Sequence, residues 1–236
     1  MKIVEPNIEI KKIDGIQIMK NIEEACRTCY RSEGLINEDS YKNLIKNCIN
    51  RGHESVLEHE KITIKMYCDI GAYKDLTRHR HASFSIESTR YCNYSKDKFD
   101  NEINFIKPVF YTDTWKDRNY EGSAMSNQEL KSFFWYKCMT DIETEYLNMI
   151  NLCKCTPDEA RMILPHSTAA QVTMTANIRE WKHILSLRAT KMSHPSVQQL
   201  MIPLLLYFKE QMPEIFDNVD YNVDFDKEKY AKIIIK

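Results

Sequence analysis

The sequence predicts a mixed chain of the α+β class, in which long helices alternate with a few strands. Three observations carry this. Residues 61–69 alternate cleanly: Ile62, Ile64, Met66 and Cys68 share one face, Lys61, Thr63, Lys65 and Tyr67 the other, the period of a half-buried strand. Residues 126–153 hold a long stretch of helical spacing opened by Ser126-x-x-Glu129, a capping box. The 236 residues include only 5 glycines and 7 prolines and show no internal repeat, so one continuous domain over 1–236 is expected.

The remaining elements follow in order. Residues 7–11 alternate like a short strand, and apolar residues fall at helical spacing over 16–29. Cys26 and Cys29 form a CxxC inside that helix; without a second pair at ligand spacing, they read as buried thiols. Ser40 is the expected N-cap of a helix to residue 50, with Tyr41, Leu44, Ile45, Cys48 and Ile49 as its buried stripe and Gly52 as its stop. Gly71 should turn the strand 61–69 into a helix over 72–80, after which the chain reads as a loop. Residues 93–126 read as a polar surface excursion. In the long helix Leu130, Phe133, Phe134, Cys138, Ile142 and Leu147 are expected to face the core. Thr156-Pro157-Asp158-Glu159 is a second capping box with proline at the first helical position. A strand over 171–176 should follow, with Val172 and Met174 on one face, then a helix capped by Asn177. The last helix covers 195–211, with a kink expected at Pro203, and the pattern assigns no role to 217–236.

The composition narrows the partners. Net charge is −1, which favours neither nucleic acid nor an acidic membrane surface. No apolar run approaches the roughly 20 residues of a membrane span. Eight cysteines without a secretory signal point to reduced thiols in a cytoplasmic protein. His53 and His59 with Glu54 and Glu58 match no established ligand spacing, so no metal site is expected.

The chemistry concentrates in residues 78–91, where three arginines, two histidines, three serines and one carboxylate fall within fourteen positions. Planar guanidinium forks suit phosphate and carboxylate bidentately. A basic helix end followed by a Ser/Thr turn is the plainer account of the same residues. A second polar group lies near residue 180: Arg179, His183 and Ser186 share one helix face, and Arg188 ends the neighbouring apolar stripe of Trp181, Ile184 and Leu185, where it could instead snorkel.

The order of these residues resembles the signature of flavin-dependent thymidylate synthases. Arg78-His79-Arg80, seven residues, then Ser88-Thr89-Arg90-Tyr91 matches its fixed positions, with Glu87 one place nearer Ser88 than is usual in the family. Gly52-His53-x-Ser55-x-x-Glu58-His59, Arg161 before Leu164-Pro165, Asn177-x-Arg179 with His183, Leu187-Arg188-Ala189 and the run from His194 to Gln198 continue the likeness.

The resemblance implies a small, mostly antiparallel sheet flanked by long helices. It implies reductive methylation of dUMP to dTMP, with methylenetetrahydrofolate as carbon donor and NADPH as reductant, through FAD and without a protein nucleophile. By that likeness Ser55, Arg78, His79, Arg80, His81, Asn177, Arg179 and His183 should hold FAD, with His53 near the flavin. Asp75, Arg78, Glu87, Ser88, Thr89, Arg90, Arg161 and Arg188 should hold dUMP, with Arg188 the catalytic group. Asp75 stands where the family often has glutamine, and its carboxylate would repel a phosphate. A homotetramer with shared active sites is expected. A nucleotide- or RNA-binding module using the same arginines and a flavoprotein of unrelated chemistry are the other readings, separated by bound yellow chromophore and by the dUMP-facing arginines respectively.

Overall fold

The structure is a computed structural model that describes residues 1–117 and 125–236; the part of the expected 93–126 excursion at 118–124 lies outside the described residues. These residues form two compact units, one of 1–6, 67–71 and 86–171, the other of 7–66, 72–85 and 172–236. A five-stranded sheet runs in the order β4-β6-β3-β2-β7, built from β2 (Asn7–Ile10), β3 (Lys61–Asp69), β4 (Ala82–Ile86), β6 (Ala169–Asn177) and β7 (Lys232–Ile235). A two-stranded sheet pairs β1 (Lys2–Val4) with β5 (Asn104–Ile106) in parallel. The helices are α1 (Gly15–Thr28), α2 (Ser40–Asn50), α3 (Ile70–Leu76), α4 (Asn127–Asn151), α5 (Pro157–Ala160), α6 (Ile178–Arg188), α7 (Pro195–Gln211) and α8 (Pro213–Phe216). The α+β reading holds. The central strands β3 and β6 are antiparallel, tied by Ile178 N–H to Glu60 O at one end and Ile70 N–H to Thr168 O at the other.

The buried face of β3 is the one the alternation marks: Ile62, Ile64, Met66 and Cys68 are all buried. Val172 and Met174 of β6 are buried likewise. Trp181 of α6 is fully buried and donates its indole N–H to Ile62 O at 3.0 Å, so one side chain fixes α6 against β3 and satisfies a carbonyl. Two glycines are required here. A Cβ on Gly15 would lie 2.0 Å from Gln211 O, and Gly52 ends the turn after α2 with φ +72°. The C-terminal residues form β7, parallel to β2 with Asn7 opposite Lys232 and Ile10 opposite Ile235. That pairing joins chain ends more than 220 residues apart, which no local pattern announces.

The smaller unit has its own core of Tyr94, Ile103, Phe105, Met139, Tyr146 and Ala160. This corrects the reading of 93–126 as a surface excursion: Tyr94, Ile103, Phe105, Ile106 and Tyr111 are buried, interleaved with exposed polar turns. It also corrects part of the inward face of α4, on which Ile142 and Leu147 pack against this core as expected. Ser132, Met139, Glu143 and Tyr146 are buried, whereas Leu130, Phe134 and Cys138 are exposed. The buried Glu143 receives the N–H of Ile103 at 2.8 Å and the Met1 ammonium at 2.6 Å, a polar demand that selects the face against hydrophobicity.

Three local expectations shift. The N-cap of α2 is Asp39, because Ser40 Oγ is engaged with Asn37 in the preceding turn. The helix after β3 stops at Leu76 rather than residue 80, and the expected loop contains β4, an edge strand beside β6. Cys29 is exposed, while Cys26 and Cys48 are buried with sulfurs 3.3 Å apart. Burial, then the Cys48 hydrogen bond, pushes the Cys26 thiol up to about 12. Both capping boxes form as expected, and α7 runs through Pro203.

Candidate active site

The predicted site residues fall into two groups, one in each unit. In the larger unit α3 ends at Leu76, a turn closed by His79 N–H to Leu76 O carries Arg78, His79 and Arg80, and β4 follows. His79 points inward and is 6 % exposed; Arg78, Arg80 and His81 are exposed. The inward histidine meets the last residue of α6: Arg188 Nε donates to His79 Nε2 at 3.0 Å, and Arg188 Nη2 donates to the backbone oxygen of Asp75 at 2.9 Å. Asp75 therefore contributes a carbonyl here, which a glutamine at the same place would also supply. One edge of the Arg188 guanidinium is anchored; among the described residues Nη1 has no hydrogen-bond partner.

Burial holds His79 down to about 4, with the nearby Arg188 charge and then His183 adding to the effect. The ring is neutral at neutral pH. Its Nδ1 lies 3.5 Å from Glu180 Oε1, and its ring meets that of His183 edge-on at 5.8 Å.

Beside this core lies a cleft of about 880 Å³ lined by Glu54, Glu58, His81, Asn177, Arg179, Glu180, Lys182, His183 and Ser186, with Thr190 and 218–220 closing it. Asn177 caps α6 by accepting the N–H of Glu180 at 2.8 Å. Arg179 is ion-paired to Glu58 at 2.6 Å and Lys182 to Glu54, both carboxylates lying on the 3-10 turn Glu54–His59. Ser55 and His53 belong to the same segment and are exposed, but do not line the cleft. The sequence shows Glu54 and Glu58 but not their cationic partners on α6. The only signal of that pairing is spacing: Glu54 and Glu58 are four apart, Arg179 and Lys182 three apart.

The cleft has the volume of a ligand pocket, and Arg179, Lys182, His81, His183, Asn177 and Ser186 offer polar groups to a nucleotide cofactor; Glu54, Glu58, Glu180 and Asp220 line it as well, so an anionic ligand would have to draw Arg179 and Lys182 from their carboxylate partners.

In the smaller unit, Glu87, Ser88, Thr89 and Arg90 follow β4, and Arg90 and Arg161 meet at Asp158 of α5. Arg90 Nε donates to Asp158 Oδ1 at 3.0 Å. Arg161 Nε lies 3.0 Å from the same oxygen, an ion pair whose angles fall short of a hydrogen bond. Sequence reading took Asp158 only as part of a capping box. Glu87 accepts the N–H of Gln171 at 3.1 Å and faces the Tyr94 hydroxyl at 3.5 Å. Ser88 Oγ accepts the Arg90 N–H at 3.4 Å. Burial, followed by the Glu87 charge, raises the Cys92 thiol, the opposite of what an activated nucleophile needs. Among the described residues no helix is long and apolar enough to cross a membrane.

Comparison with known proteins adds the following. The family model described as thymidylate synthase complementing protein matches residues 15–214. The flavin-dependent thymidylate synthase of Corynebacterium aurimucosum is 27% identical over 203 residues, covering 84% of this chain and 78% of its own. That of Halobacterium salinarum is 26% identical over 209 residues, covering 84% and 83%. The UMP/dUMP methylase PolB from Streptomyces cacaoi, solved with 5-Br dUMP, matches with a TM-score of 0.71 at 21% identity, over 92% of this chain and 96% of that one. Thymidylate synthase X from Helicobacter pylori, solved with FAD and dUMP, gives 0.67 at 19% identity, over 91% and 98%. The two structural likenesses establish a shared fold.

Proposed function

The chain belongs to the flavin-dependent thymidylate synthase family, and from that premise we propose that Arg188, anchored by His79 and the Asp75 carbonyl, is the group that activates the uracil ring of dUMP. The protein is a flavin-dependent thymidylate synthase that converts dUMP to dTMP, with methylenetetrahydrofolate and NADPH as co-substrates. FAD, when bound, supplies hydride transfer.

The observation that carries the proposal for Arg188 is its anchoring. A guanidinium held at Nε and Nη2 points a fixed charge through Nη1. Placed at the uracil edge, it would stabilise negative charge as N3 loses its proton and so make C5 more nucleophilic. A preorganised donor of this kind contributes roughly 3–4 kcal/mol to a barrier. No cysteine or serine attack is needed. His81, Asn177, Arg179 and His183 hold FAD in this reading, with His79 acting behind Arg188; the family resemblance adds Arg78, Arg80, Ser55 and His53, which do not line the cleft. Ser88, Thr89, Arg90 and Arg161 hold the dUMP phosphate and sugar, and Glu87 braces the segment through Gln171.

The reading extends to a single functional domain over 1–236 that works as a homotetramer with shared sites in the cytoplasm. Phe134, 62 % exposed on α4, and Met192, 94 % exposed after α6, are apolar groups that subunit contacts would cover. All eight cysteines are free thiols, as in a reducing compartment. Light scattering of the active enzyme checks the assembly; a fully active monomer overturns it.

The test of function is direct. The purified protein should be yellow or bind FAD, bleach with NADPH, and form dTMP from dUMP and methylenetetrahydrofolate, with UMP as the parallel substrate. A colourless protein that takes up no FAD and makes no dTMP refutes it.

A further inference from the structure

We propose that Glu180 is a positioning residue for Arg188, acting through His79: its carboxylate selects the histidine tautomer whose lone pair receives the Arg188 Nε–H. The inference rests on the reading of Arg188 as the catalytic group.

The chemistry leaves His79 one productive form. A guanidinium has donors and no acceptor, so His79 Nε2, 3.0 Å from Arg188 Nε, must carry the lone pair. The ring proton then sits on Nδ1, facing the carboxylate of Glu180, an acceptor only, at 3.5 Å. The other tautomer would set a proton against the Arg188 N–H and a lone pair against a carboxylate. Both groups are buried, His79 at 6 % and Glu180 at 8 % exposure, where such mismatches are costly. The groups facing the ring are Glu180, His183 and Arg188 of α6 and the end of α3, whose Asp75 carbonyl takes the second Arg188 bond.

The local sequence points away from a capping role. Glu129 in α4 and Glu159 in α5 occupy the third helical position, and their carboxylates accept the backbone N–H of the N-cap residue. Glu180 holds the same position in α6, receives the Asn177 cap, but directs its carboxylate to His79 instead. Glu180 and Arg188 lie eight residues apart, about 12 Å of helical rise. The two side chains lean towards each other, and His79, entering from another element, contacts both.

The test uses FAD-loaded protein. In the wild type, ¹⁵N NMR of labelled histidine should show His79 neutral and protonated at Nδ1; in Glu180→Gln the Nε2–H form should appear. Glu180→Gln should lower kcat about tenfold, the scale of one bond to a charged group, with KM for dUMP unchanged in FAD-saturated enzyme. His79→Ala removes the ring through which Glu180 would act, so adding Glu180→Gln to it should cost nothing further. Three results overturn the inference: an Nε2–H tautomer in the wild type, full activity in Glu180→Gln, or the same loss from Glu180→Gln in the His79→Ala background. Arg188→Ala with unchanged turnover instead removes the catalytic reading, and the tautomer measurement still decides the positioning.

Discussion

Arg90 and Asp158, 68 residues apart in sequence, are joined by a 3.0 Å hydrogen bond from Nε to Oδ1. Asp158 takes the Nε position of Arg90 and also faces Nε of Arg161, and among the described residues the terminal nitrogens of both guanidiniums have no hydrogen-bond partner. That is the arrangement a phosphate needs.

Arg90→Ala and Arg161→Ala should each weaken dUMP binding about ten- to hundredfold, about 1.5–3 kcal/mol for a charge-assisted contact. Deoxyuridine, which lacks the phosphate, should bind nearly as before. Calorimetric titration of both ligands checks this; equal losses for the two would show damage to the site rather than a phosphate contact.

Cys92→Ala should leave turnover within about tenfold, roughly 1.4 kcal/mol in the barrier. The thiol is raised by burial and by Glu87, and so lacks the thiolate needed for attack. Ser88→Ala should raise KM for dUMP more than it lowers kcat. A covalent adduct of either residue trapped on the reaction path would reverse the assignment.

Stability should fall in mild acid through His79. The unfolded ring titrates near 6.5 and the buried one near 4, so between these values the unfolded state binds the extra proton. The contribution is therefore complete above pH 6.5 and is lost as pH falls towards 4, on the order of 3 kcal/mol in all. Denaturant midpoints of the wild type at pH 7 and pH 4.5 should differ by more than those of His79→Gln; equal differences contradict the burial argument.

Arg179→Ala should weaken FAD binding about ten- to hundredfold, since it removes a cation and leaves Glu58 unpaired in the cleft. Arg78→Ala should act in the same direction. FAD titrations of both variants matching the parent would take these residues out of the cofactor site.

The sequence by itself determined the elements with strong local patterns and the residue types that carry chemistry. The alternation of 61–69, the two capping boxes and the Asn177 cap are local signals, and each forms as expected because its energetics lie within a few residues. The arginine-histidine stretch and the Arg179–Arg188 helix were visible as polar groups placed where a solvated surface does not need them. Tertiary structure alone decided the partners. It turned His79 inward onto Arg188, set Asp158 between two arginines, paired Arg179 and Lys182 with Glu58 and Glu54, and made 232–235 a strand beside 7–10. It also chose the face of α4, where Glu143 and Tyr146 go inside and Phe134 stays out. The physical reason is range: propensity and capping act over one or two turns, whereas burial of a polar group is settled by partners contributed from distant chain.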